Sequence, residues 1–124
     1  MAKEITISGS LSFFKTGVTN SAVGKAATAV QVDVAGNAYI EASMATSTSP
    51  AAIPLGGVTT PRWAQFQNMD ATDNISIRDG SGGTNLITMK PGDPVATLPL
   101  AAGAVPYAVA SANTPRLDYL IVQA

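Results

Sequence analysis

Hydrophobic and polar residues alternate in short runs along this chain, and turn-forming residues separate the runs. The pattern is strongest over residues 62–100. Ile75 and Ile77 alternate with Ser76 and Arg78, Asp79-Gly-Ser-Gly-Gly then turns the chain, and residues 86–89 return as a strand. Pro91-Gly92 has the chemistry of a type II turn, with Pro setting the first corner and Gly supplying positive φ at the second. Residues 95–100, 105–110 and 117–123 read as further strands. Upstream, residues 3–7 and 11–15 read as two short strands about Ser8-Gly-Ser, and residues 16–27 as a long loop of small residues. Residues 28–34 place Val30, Val32 and Val34 on one face, and Gly36-Asn37 offers a two-residue hairpin turn to residues 38–42. Residues 43–61 are rich in Ser, Thr, Ala and Pro and read as a long loop or arm, with a short edge strand at 53–58. The whole predicts one all-β domain over residues 1–124, an antiparallel β-sandwich or jelly roll of about 7–10 short strands.

Composition narrows what such a domain does. At 124 residues the chain is long enough for one core, and its apolar fraction of 46% is weighted toward alanine, with only 6% aromatics. Bulky core material is modest, so sharing apolar surface between copies is expected. Charged residues make up 12%, against roughly 25% in an ordinary globular chain, and the net charge is -1. The seven Lys and Arg are scattered without a basic cluster, which argues against a nucleic-acid partner. The chain contains neither Cys nor His. Ser-His and Cys-His nucleophile pairs and the usual zinc sites are therefore ruled out, and the expectation is a protein that is not an enzyme and uses no cofactor. Residues 1–7 lack the basic-then-apolar pattern of a signal peptide, and no apolar run approaches the ~20 residues that span a bilayer, so synthesis in a cytoplasm and no membrane partner are expected.

Two constellations carry candidate chemistry. Asp70, Asp73 and Asp79 with Asn68 and Asn74 form an oxygen-rich segment that a hard cation could use, but they lack EF-hand spacing, and Asp and Asn are also what turns between strands require. A solvated turn is the better reading, and no metal site is assigned. Trp63, Phe66, Tyr39, Tyr107 and Tyr119 could line a sugar-binding platform, pack in a core or anchor an interface. Trp63 and Phe66 are an odd number of positions apart, so either a bulge intervenes or one of them faces outward. Trp63, Phe66, Ile53, Leu55 and Tyr107 are the candidate interface residues.

The segment Phe66-Gln-Asn-Met-Asp-Ala-Thr-Asp-Asn-Ile-Ser-Ile, with Leu86-Ile-Thr-Met-Lys-Pro-Gly-Asp-Pro and the closing Leu117-Asp-Tyr-Leu-Ile-Val, resembles small virion proteins of tailed bacteriophages. The resemblance covers residues 62–122. It implies a sandwich or jelly-roll subunit of a virion, assembled in the host cytoplasm, most often a homotrimer whose partners are itself and the major capsid protein. The expected role is capsid decoration or cementing. The alternative is a carbohydrate- or receptor-binding module of a tail or fibre, with Trp63 and the tyrosines carrying recognition.

Overall fold

A computed structural model describes residues 5–14, 22–32, 38–101 and 104–123, and all regular structure among them is β-strand. The chain divides into two compact units, Met1–Val34 and Ala35–Ala124.

The first unit is a ribbon of β1 (Ile5–Phe14) and β2 (Ala22–Val32), paired antiparallel. The register sets Ile5 opposite Val32, Ile7 opposite Val30 and Phe13 opposite Val23. Two expectations change here. Ser8-Gly-Ser does not separate two strands, because pairing with β2 continues on both sides of it; the register shift between Gly9 and Leu11 sets Ser10 against the extra residue of a bulge at Ala26-Ala27. Val30 and Val32 do not pair with residues 38–42, because they stand opposite Ile7 and Ile5 of β1, and Val34 lies outside the described residues. The Gly36-Asn37 turn and residues 16–21 of the expected 16–27 loop lie outside the described residues, but Ala22 to Ala27 belong to β2.

The second unit holds β3 (Tyr39–Ala45), β4 (Ala51–Ala52), β5 (Pro61–Asn68), β6 (Ile75–Asp79), β7 (Asn85–Met89), β8 (Ala96–Pro99), β9 (Pro106–Ala110) and β10 (Arg116–Gln123). They form two four-stranded antiparallel sheets, in the orders β3-β10-β5-β8 and β4-β9-β6-β7. Within these orders β3 pairs with β10, β4 with β9, β5 with β8 and β6 with β7, so the outermost strands in sequence pair first and the innermost last. A long hairpin wrapped upon itself in this way is the jelly-roll topology. The expected edge strand at 53–58 is replaced by the two-residue β4, since Pro50 and Pro54 confine pairing to Ala51 and Ala52. After it the chain turns, with the Val58 N–H donating to the Leu55 carbonyl.

The sheets face each other across a core that alternation selects. Ala64, Phe66, Leu117, Tyr119 and Ile121 come from the first sheet, Ile75, Ile77, Met89 and Ala108 from the second, and Ile53, Val58 and Leu100 from the connections. The turns form where the sequence places them. Gly92 has φ 82° and the Asp93 N–H donates to the Lys90 carbonyl at 3.1 Å, the type II turn expected of Pro91-Gly92. In the β6–β7 hairpin a Cβ at Gly83 would stand 2.5 Å from the Asp79 carbonyl oxygen, so only glycine fits.

One core residue carries a polar tip. The Tyr119 hydroxyl donates to the Pro54 carbonyl at 3.1 Å, and burial pushes its phenol above the ordinary value of 10.0. A raised pKa means that the unfolded chain loses its proton first, so this contribution is whole below about pH 10 and is lost as pH rises through the folded value. Tyr119→Phe is expected to cost about 1 kcal/mol at neutral pH through the lost hydrogen bond. Urea midpoints measured from neutral to alkaline pH should show the gap between the two proteins closing above the ordinary tyrosine value.

Candidate functional site

The outer face of the first sheet gathers more of the chemistry of this chain than any other described surface. Inward positions of β5 are Ala64, Phe66 and Asn68, which leaves Trp63, Gln65 and Gln67 on the outer face. This settles the odd spacing of the two large aromatics: Phe66 is fully buried and Trp63 faces outward. The sheet register then aligns outward residues in rows. Tyr39, Val122, Trp63 and Pro99 cross all four strands side by side, and Glu41, Leu120, Gln65 and Thr97 form the next row. Ser43, Asp118 and Gln67 follow. One end of the face is apolar and aromatic, and the other carries amides and charges.

Over the polar end lies an open depression of about 480 Å³ lined by Glu41, Ser43, Gln65, Gln67, Asp118 and Leu120. Gln65 donates to the Thr97 hydroxyl at 3.3 Å, which orients one of the amides. Arg116 Nε lies 3.1 Å from Asp118 Oδ1, and at this exposure such a pair contributes at most about 1 kcal/mol. At the apolar end the Arg62 guanidinium stands 4.9 Å from the centre of the Trp63 ring and also donates to the Leu100 carbonyl. The indole is thereby fixed from one side, a preorganised platform that contributes through its polarizable face.

The five candidate interface residues do not converge. Ile53 and Phe66 are 1% and 0% exposed and pack in the core. Leu55 packs partly buried against that core from the connection after β4. Tyr107 is half-buried on the outer face of the second sheet, level with Ala52 and Arg78. Only Trp63 belongs to the face described above. Tyr39, one of the aromatics the sequence offered as a platform, joins it there, and its apolar part is completed by Leu120 and Val122, which were not among the candidates. The signal for these two was present: residues 119–122 are apolar without a break, as in a strand with apolar surface on both faces.

The oxygen-rich segment is committed to its own turn. The buried Asn68 amide donates to the carbonyls of Asp73 at 2.8 Å and Met89 at 3.0 Å, while its oxygen accepts the Asp70 N–H at 2.9 Å. Asp70 Oδ2 accepts the N–H groups of Asp73 at 2.7 Å and Thr72 at 3.1 Å. Those bonds, that of Asp73 first, hold the Asp70 carboxyl below its ordinary value. Asp73 accepts from Asn113 across the loop after β9. Among the described residues no cluster of three or more His, Cys, Asp or Glu could hold a metal ion.

No protein-family model matches the chain, and no curated protein or solved structure matches it either.

Proposed function

We propose that this protein is a non-enzymatic structural subunit of a tailed-phage virion, which binds the capsid shell and stabilises the junctions between capsomers. The resemblance over residues 62–122 supplies the identity of the assembly, and one structural observation supports a contact-making role. The register of the N-terminal ribbon sets Ile5, Ile7 and Phe13 opposite Val32, Val30 and Val23, with Thr6 and Ser8 at the alternate positions. A two-stranded ribbon is marginal in water by itself, so one with this pattern suits a contact-making element. The jelly-roll body is compatible with the same role, since capsid subunits use this architecture, but lectins use it too, and the fold alone does not choose.

The test is heat release from purified capsids with and without saturating protein. Preferential binding to the assembled shell stabilises it by about 2.7 kcal/mol per site at a hundredfold excess over Kd, so the release temperature should rise in proportion to occupancy. Tight binding with an unmoved release temperature would remove cementing. The second reading, glycan or receptor recognition, is favoured by the Trp63 platform beside open amides. It predicts glycan-array binding that Trp63→Ala abolishes and no affinity for empty capsids.

A further inference from the structure

We propose that the free edge of β3 is the pairing site for a second copy of this chain, joined antiparallel across a two-fold axis at Ala42 so that the first sheet continues into that of the partner. The inference does not depend on the virion reading.

The sheet edges of the second unit are protected unequally. Strand β4 has two residues and sits between Pro50 and Pro54. Strand β7 is broken by a register shift against Ile77 and Arg78 and is followed by Pro91. Strand β8 has four residues, ends on Pro99 and follows Pro94. Shortness, bulges and prolines are the devices that keep an edge from recruiting another strand. Strand β3 has none of them: it runs regularly through seven residues, without proline or a basic side chain, and carries one charge, Glu41. Among the described residues it is paired on one side only, with β10.

The hydrogen-bond phase of that ladder fixes which groups are available. The Gln123 N–H donates to the Ala38 carbonyl and the Thr46 N–H to the Pro115 carbonyl, so even-numbered positions face β10. The N–H and C=O groups of Tyr39, Glu41, Ser43 and Ala45 consequently point away from the sheet.

The sequence of the strand selects a partner and a register. Pairing with another β3 centred on Ala42 sets Tyr39 against Ala45 and Glu41 against Ser43, and uses all the outward-directed groups. Shifting it so that Glu41 meets its own copy would oppose like charges and leave Ala45 unpaired. On the inner face the same register brings Ile40 against Met44 and the small Ala42 to the axis. Those three pack against the core yet remain half-buried, as expected of a row whose covering layer is incomplete in one copy. The strand is thus complementary to itself in charge, size and hydrogen bonding.

Sedimentation equilibrium of the full chain at micromolar concentration should show a dimer, in place of the trimer that the resemblance implies. Ser43→Pro removes an N–H that β10 does not use, so the fold should survive and the dimer should not. Ser43→Glu sets like charges together at two symmetric positions and should weaken dimerisation roughly tenfold. Adding Glu41→Lys to it restores opposite charges and should restore the dimer, which keeps the test decisive if the proline variant fails to fold. A monomer or trimer for the unaltered protein, or a dimer indifferent to the charge changes, would overturn the proposal.

Discussion

Phe66→Ala is expected to lower the unfolding free energy by about 3–5 kcal/mol, while Trp63→Ala, three residues away on the same strand, costs about 1 kcal/mol or less. Phe66 is fully buried against side chains of both sheets, and its removal forfeits transfer energy and leaves a cavity that eight short antiparallel strands cannot close by moving independently. Trp63 gives up only its contact with Arg62 and part of its cover on the outer face. Since a domain of this size is stable by about 5–15 kcal/mol, the first substitution removes a large share and the second little. Urea denaturation of the two variants, read as midpoints at a common slope, checks the assignment of inside and outside. Equal losses would mean that the strand is turned over.

Asn68→Leu should cost about 3 kcal/mol although it preserves volume and adds apolar surface, because it orphans buried backbone groups. The Asn68 amide satisfies the carbonyls of Met89, at the end of β7, and Asp73, in the loop that begins the second sheet, and its oxygen fixes the Asp70 N–H. One 5%-exposed side chain therefore ties the end of a strand in the first sheet to the connection that enters the second. The loss should be accompanied by faster amide exchange at Thr72 and Asp73, whose N–H groups bond to the Asp70 carboxylate that this turn holds in place. A substitution that lowered stability without loosening the turn would show that packing, not hydrogen bonding, is what Asn68 contributes.

Asn68 also shows what the linear pattern concealed. It stands at an inward position of β5, in phase with Ala64 and Phe66, where alternation asks for an apolar residue. Read along the chain it belonged with the aspartates that follow and added to an apparent cation site. Its partners lie 5 and 21 residues away, and only the folded arrangement shows that its polarity is consumed internally. The same holds for the candidate interface. Ile53 and Leu55 are conspicuous in a loop of small residues, yet what marks them is that the core reaches out to them from the connection. Leu120 and Val122 lie in the longest apolar run of the closing strand, where the outward residues are hidden by the inward ones.

Local sequence was enough for the strands rather than helices and for the turns at Asp79-Gly80 and Pro91-Gly92; for Trp63 and Phe66 it left a bulge or opposite faces open, and the regular strand β5 chose the latter. Strands and turns follow from steric limits on φ and ψ and from the two-residue period of a strand, which act between near neighbours. Tertiary structure decided the pairing. The valines of β2 satisfy their alternation against Ile5 and Ile7 as well as they would against residues 38–42, so nothing local directs β3 to β10 instead, some eighty residues along the chain. That choice is made by covering both faces of the core at once, and it alone aligns Tyr39, Val122 and Trp63 in one row and leaves β3 at the edge of its sheet.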